Sequence, residues 1–438
     1  MQSFYEATIT RAAGHSPAYA PLTGRRSVNV CIMGGGLAGL STALGLAERG
    51  VTDVAVLEAE QVGFGASGRN GGFVFGGYSL DCADLLKTIG PVRARELYAL
   101  TTDAVDLMRQ RIQRYRIDCD VTDAGVILAN WFDEPARLDT QRRLMRDSFG
   151  VEWEPVAAAE LASQLKTNRY HGGLFERNAF HFHPLKYVLG VAAAAADAGV
   201  QIHEKSPVVR FERSGARGEG AGFVVHTPQG ALEARHVVMA GGGYARNVYA
   251  QVERAVLPIA TYVMATEPLG ARLKDAIDTR AAVYDTRFAF DYYRPLPDTR
   301  ILWGGRISVR DRAPDVIARL LRSDLLKVYP QLHDVRIEHA WGGLMSYARH
   351  KMPQIGRSTD GVWYAVGFGG HGMAPTTVSG ELLAAAISGE RPVPDAFAAF
   401  GLTRTYGALG LAAAQLTYTA MQTRDALAAR RPSPRSTP

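Results

Sequence analysis

Gly34, Gly36 and Gly39 fill the three glycine positions of a G-x-G-x-x-G pattern in the stretch GGGLAG. Glycines at that spacing allow a tight turn, an approach of bare backbone to a pyrophosphate, and close packing of a helix on a strand. Leu37 and Ala38 open the helix that follows, whose first N–H groups and positive dipole end attract phosphate. Glu58, with Ala59 beside it, lies about twenty residues past Gly39, where an acid accepts hydrogen bonds from a ribose 2′-hydroxyl. A carboxylate there disfavours a phosphorylated ribose. These residues specify a dinucleotide site, and by themselves leave flavin and nicotinamide dinucleotides both open.

Two more stretches carry chemistry. GFGASGRNGG runs from Gly63 to Gly72, and in it Gly65, Ala66, Gly71 and Gly72 let backbone come close to a ligand. Ser67 and Asn70 can donate hydrogen bonds, and Arg69 can offset phosphate charge. Near the C-terminus, GFGGHGMAPTT predicts a tight turn through Gly367, Gly369, Gly370 and Gly372, with a helix from about Pro375. His371 in that turn is the candidate proton acceptor, because an imidazole titrates near neutrality.

The elements that must position these residues read from periodicity. VNVCIM is a buried strand, LSTALGLAERG a helix stopped by Gly50, and Asp53–Leu57 a second strand. Residues 90–116 predict a long helix, Val121–Ala129 a strand, Pro135–Arg146 a charged helix and Val151–Glu154 a short strand. His183–Glu204 reads as helix then strand, and Gly222–Tyr244 as a hairpin turning at Pro228–Gly230. Residues 257–341 are rich in strands and aromatics, with one helix near Asp315–Val328. The alternation predicts an α/β (interleaved α+β) fold: a parallel sheet flanked by helices and interrupted by an antiparallel region.

Composition narrows the classes. At 438 residues the chain is long enough for two domains, and 47% hydrophobic with 21% charged residues is ordinary for a soluble protein. The net charge of +6 is modest, and no basic block is interleaved with aromatics, so nucleic acid is not an expected partner. Cys31, Cys82 and Cys119 form no metal-ligand or CxxC spacing, which suits a reducing, cytoplasmic setting. His181, His183 and His203 lack metal-site spacing and read as structural; no metal is expected. Residues 1–27 have no apolar core of a secretory signal and read as an extended arm. Thr405–Met421 is too short and too rich in Ala, Gly and Thr for a membrane span and predicts a packed C-terminal helix. Residues 426–438 read as a tail, of which the final ARRPSPRSTP is expected to be disordered.

With GGGLAG and Glu58 upstream, GFGASGRNGG resembles the D-amino-acid-oxidase-like superfamily of FAD-dependent oxidoreductases. SFYEAT near the start, LEAEQVGFGASGRNGG, WGGLMS with KMPQIG, and GFGGHGMAPTTVSGELLA are together similar to its γ-glutamylputrescine oxidoreductase branch. The resemblance spans nearly the whole chain. It implies a Rossmann-like FAD-binding domain from residues 28–100, 181–256 and 341–425, and an antiparallel-sheet substrate domain from 101–180 and 257–340. It further implies that Gly370, His371, Gly372 and Met373 line the flavin ring, and that the backbone of Val208 meets the adenine end. Gly241 and Gly242 would pass close to FAD, and Ser67, Asn70, Gly71 and Gly72 would touch the pyrophosphate and flavin side. The helix after the last glycine turn would stabilise negative charge on the flavin.

Departures from the resemblance are informative. Relatives that bind FAD covalently carry a cysteine near the segment matching Trp341–Ser346 or a histidine in the loop matching Gly65–Gly72; neither is present, so FAD is expected to be non-covalent. Sarcosine-oxidase-like members place a carboxylate-binding lysine where Ala374 stands. Their oxygen-activating lysine falls on Trp303, which leaves oxygen and other electron acceptors open.

The expected chemistry is hydride transfer from the carbon beside an amine nitrogen to FAD. The amine must be neutral, which a dry aromatic pocket favours. Tyr262, Phe290, Tyr292, Trp303 and Trp341 are the expected pocket residues, with Tyr284, Phe288 and Tyr293 nearby. Arg287, Arg294 or Arg306 could hold a remote carboxylate. The expected substrate is a secondary amine or an acylated diamine such as a γ-glutamyl-amine, giving imine or aldehyde and, with oxygen, peroxide. A glycine or D-amino-acid type of oxidase is the alternative, a non-enzymatic flavoprotein a remote one.

Overall fold

The computed structural model describes residues 3–9, 19–214 and 222–429. Its centre is the strand Gly24–Met33, whose last residues are buried on both faces. Such a strand sits inside a parallel sheet covered by helices on each side. The sheet order is Gln354–Arg357, Trp363–Val366, Gly230–Met239, Gly24–Met33, Val54–Leu57, Gln201–His203, with the inner pairs parallel and the Gln354–Arg357 edge antiparallel. Arg210–Ser214 and Gly222–His226 extend Gly230–Met239 as an antiparallel meander. Helix Leu37–Glu48 is buried over most of its length between the helices Met373–Ser388 and Pro184–Asp197.

The second sheet runs Ile337–Tyr347, Leu257–Thr266, Ile301–Ser308, Tyr292–Pro295, Ala282–Asp285, Val126–Ala129, Gly173–Glu176, Glu154–Val156. It is antiparallel except where Ala282–Asp285 pairs with Val126–Ala129. Helix Pro314–Val328 covers one face; the other turns toward the first sheet. Strand alternation divides the aromatics between those faces. Tyr293, Trp303 and Tyr262 go to the helix-covered core, and Tyr292 goes to the opposite side.

Several expectations change at the boundaries. The strand expected from Val121 starts at Val126, with Thr122 only bridging His181. The short strand near Val151 lies instead at Glu154–Val156. The first arm is not simply extended: Phe4–Thr8 is a helical turn, because Ser3 and Glu6 cap each other's amides as a capping box. Residues 1–2 and 10–18 of the arm and 430–438 of the tail lie outside the described residues, and the tail expected from residue 426 begins later because the helix runs on to Ala428. The C-terminal helix forms at Gly407–Ala428 but is not packed as expected: Tyr418 and Asp425 are buried while Leu409, Leu416 and Leu427 are exposed. Its apolar residues are spread around the axis, so no single stripe can turn inward. Among the described residues no helix is long and apolar enough to cross a membrane.

Candidate functional site

A cavity of about 490 Å³ opens where the parallel strands end at their carboxyl edge. Gly34 follows Met33, Glu58 follows Leu57, Ala240–Gly242 follow Met239, and Phe368–Gly372 follow Val366, and all of them line it. Open α/β sheets bind ligands at that edge. Gly34 has φ +122°, a conformation that L side chains rarely adopt, and a Cβ there would stand 2.7 Å from Ala240 O. A Cβ on Gly39 would stand 2.0 Å from Gly34 O, so the third glycine packs the helix on the turn and does not line the cavity.

The phosphate-facing end is built from Gly36, Leu37, Ala38, Gly65, Ala66 and Ser67, all on the wall. Ser67 Oγ accepts the Leu37 N–H at 2.9 Å, which ties the loop to the helix start. Glu58 lines the same end and accepts N–H bonds from Gly35 at 2.7 Å and Glu60 at 2.9 Å. Burial raises its pKa, opposed by those two amides. Asn70 also lines the cavity, but its donors are spent on Ala66 O and Ser67 O, and its Oδ1 takes Gly72 N–H. It shapes the loop rather than offering a side-chain donor.

At the far end the wall is aromatic: Phe73, Phe75, Tyr284, Phe288, Phe290 and Tyr292. Phe75 and Tyr284 stack with centroids 5.5 Å apart and planes 4° apart, and Phe75 meets the His371 ring edge-on at 5.2 Å. Gly370, His371, Gly372 and Met373 lie here, at the N-terminus of helix Met373–Ser388, which starts two residues before the expected Pro375. The His371 ring is open to the cavity and enclosed by protein elsewhere; burial lowers its pKa to about 4, away from the neutrality expected for it. Phe75, Ser79, Tyr347 and Tyr418 also line the cavity and were not legible as site residues. Only the alternation of Phe73 and Phe75 hinted at a shared face.

Seven expected site residues lie off the cavity wall. Trp303 is fully buried and stacks on Tyr293 at 4.4 Å, and Tyr262 gives its hydroxyl to Arg310 O; both belong to the core under helix Pro314–Val328. Trp341 lies on the correct face, but Tyr5 covers it at 5.3 Å and its indole N–H donates to Arg69 O. Val208 packs against the core cluster of Val28, Met33 and Val225, and Ala59 is exposed. Gly72 turns toward Phe182, and Gly39 has the packing role given above. Gly71, Gly241 and Gly242 are on the wall.

The arginines separate similarly. Arg294 is buried, bonded to Gly71 O and Phe182 O, and does not line the cavity. Arg287 and Arg306 do line it, with Arg287 held by Asp285 and Asp291 and Arg306 by Asp324. His183 caps helix Pro184–Asp197 through Lys186 N–H, and His181 bonds Arg280 O.

The family model DAO, "FAD dependent oxidoreductase", matches residues 29–386. The chain belongs to the DAO family of FAD-dependent oxidoreductases. It is 35% identical over 398 residues to gamma-glutamylputrescine oxidoreductase of Escherichia coli (strain K12), covering 90% of this chain and 92% of that protein. It is 34% identical over 402 residues to a probable oxidoreductase, OrdL, of Haemophilus influenzae, covering 89% of each. The structure superimposes on glycine oxidase of Geobacillus kaustophilus with TM-score 0.71 at 21% identity, covering 87% of this chain and 100% of that one. As in other DAO-family members, the first sheet is a Rossmann-like FAD domain.

The residues present fit FAD. A Cβ on Gly372 would meet no protein atom within 4 Å, so bare backbone faces open cavity at the aromatic end. The opposite end offers helix N–H groups and a carboxylate. One elongated dinucleotide with an aromatic ring system satisfies both.

Proposed function

We propose that this chain oxidises a secondary amine or an acylated diamine, such as a γ-glutamyl-amine, to an imine that hydrolyses to an aldehyde. The observation that carries the reading is the aromatic wall of Tyr284, Phe288, Phe290 and Tyr292 meeting the glycine turn of His371 in one cavity. The likeness over nearly the whole chain to a gamma-glutamylputrescine oxidoreductase supports the substrate class. Bound FAD, held non-covalently, supplies the hydride acceptor. Gly34, Gly36, Leu37, Ala38, Glu58 and the loop Gly65–Gly71 would hold its nucleotide; Gly241, Gly242 and residues 370–373 would hold its ring end.

The protein residues do the rest. The aromatic wall excludes water and disfavours an ammonium, so the amine binds neutral. His371, uncharged because burial lowers its pKa to about 4, serves as a hydrogen-bonding partner and adds no positive charge. Arg287 and Arg306 reach the wall already paired with carboxylates, so they offer guanidinium edges to a remote polar group without a large net charge. Where oxygen is the electron acceptor, the product beside the imine would be hydrogen peroxide.

Anaerobic bleaching of the yellow protein by a panel of amines, followed by air and a peroxide assay, tests the reading. γ-Glutamyl-amines and secondary amines bleach it, and glycine or D-amino acids do not. The reverse preference makes the chain an amino-acid oxidase. Bleaching by no amine leaves a flavoprotein of another function.

A further inference from the structure

Four consecutive carbonyls of the loop Arg69–Gly72 are held from behind the cavity wall. Trp341 Nε1 donates to Arg69 O at 2.9 Å, the Tyr5 hydroxyl to Asn70 O at 2.8 Å, and Arg294 Nε to Gly71 O at 2.7 Å. The Phe182 N–H donates to Gly72 O at 2.9 Å. Tyr5, Trp341 and Arg294 are buried and do not line the cavity, whereas Arg69, Asn70 and Gly71 do.

A planar trans peptide points its N–H opposite to its C=O. Turning the carbonyls of Arg69 and Asn70 backward therefore turns the N–H groups of Asn70 and Gly71 toward the cavity. Among the described residues neither N–H has a protein acceptor. Two adjacent unsatisfied donors in a wall are a recognition element, because buried amides are otherwise paired.

Arg294 adds charge to this geometry. It is 2% exposed and, among the described residues, has no carboxylate within ion-pair distance. The histidines beside it bring no compensation or competition: burial, then Arg294 itself, lowers the pKa of His181 and of His183 to about 3. A buried cation whose partners are all uncharged (the Gly71 and Phe182 carbonyls, the Tyr5 hydroxyl and the His181 ring) favours negative charge nearby, more strongly than it would in water.

We propose that Tyr5, Trp341 and Arg294 are positioning residues for the flavin: Trp341 and Tyr5 turn the Asn70 and Gly71 amides into the cavity as donors to it, and Arg294, which holds the next carbonyl, sets a positive charge one peptide behind. The N-terminal turn Phe4–Thr8, which carries Tyr5, is thereby part of the cofactor site. This rests on the FAD placement above but not on the identity of the amine.

The test is the reduction potential and visible spectrum of the holoenzyme in Tyr5→Phe, Trp341→Phe, Arg294→Met and Arg294→Lys, read by dye-coupled titration without substrate. Tyr5→Phe and Trp341→Phe keep FAD and shift the flavin bands. Each makes the flavin about tenfold harder to reduce, which is about 30 mV for a two-electron couple. Arg294→Met shifts further, and Arg294→Lys recovers most of that difference by restoring charge. Should Arg294→Met not be recovered folded, Tyr5→Phe and Trp341→Phe decide the matter alone. A wild-type potential and spectrum in both of those, with FAD content unchanged, overturns the proposal. Wild-type protein that takes up no FAD overturns the cofactor placement itself, a different result from a clamp that has no effect.

Discussion

Ser79 and His371 are joined through the backbone: the His371 N–H donates to Ser79 Oγ at 3.1 Å, while the Ser79 hydroxyl donates to Phe368 O at 3.1 Å. One hydroxyl thus closes both ends of the last glycine turn, from the segment that follows the other glycine loop. Ser79→Ala removes both bonds and leaves a carbonyl and an amide without that partner. The expected cost is about 1–2 kcal/mol in denaturant unfolding, with slower reduction of the flavin by amine. An unchanged midpoint and rate would show that the turn holds itself.

His371→Ala is expected to slow amine-driven flavin reduction about tenfold, the worth of one hydrogen bond at about 1.4 kcal/mol. FAD content should stay near that of the parent protein. Because the imidazole is neutral above a pKa of about 4, the pH profile between about 6 and 9 should keep its shape in the variant. Loss of a limb near pH ~6.5 would make His371 the titrating base. Rapid-mixing spectroscopy reads both.

Glu58→Ala removes the carboxylate at the nucleotide end of the cavity. Hydrogen bonds to a charged group are worth about 1.5–3 kcal/mol, so the Kd for FAD should rise about tenfold to a hundredfold. Glu58→Gln, which retains an acceptor for the Gly35 N–H, should lose less. Titrating apoprotein with FAD by fluorescence quenching measures it; equal Kd values in all three proteins would place the ribose elsewhere.

Glu176, at the end of strand Gly173–Glu176, is buried, which raises its pKa to about 8, opposed by a hydrogen bond from the Gly76 N–H. A carboxyl that holds its proton more tightly when folded than when unfolded makes stability fall as pH rises from about 4.5 to 8. Glu176→Gln keeps the shape and abolishes the titration. The variant should match the parent at about pH 4.5 and exceed it by about pH 9, on the order of 5 kcal/mol. Melting both proteins across that range checks the sign; a gain at low pH instead would mean the carboxyl is ionised in the fold.

Much of this protein is fixed by local patterns. G-x-G-x-x-G spacing, the buried strand before it, the helix after it and Glu58 beyond depend on neighbours close in sequence, so Gly34, Gly36 and Glu58 were legible together. The glycine turns around Gly71 and His371 were legible for the same reason, as stretches where only bare backbone fits. Strand alternation shows which residues share a face, but not which face turns to the ligand or what covers it. Trp303 and Tyr292 look alike in sequence, yet lie on opposite faces of the second sheet. Trp341 has the correct face and is nonetheless screened by Tyr5, a residue from the opposite end of the chain. The backward pull on the Arg69–Gly71 carbonyls arises from three distant segments that meet only when both sheets have formed. Such convergence has no sequence periodicity, and tertiary packing alone decides it.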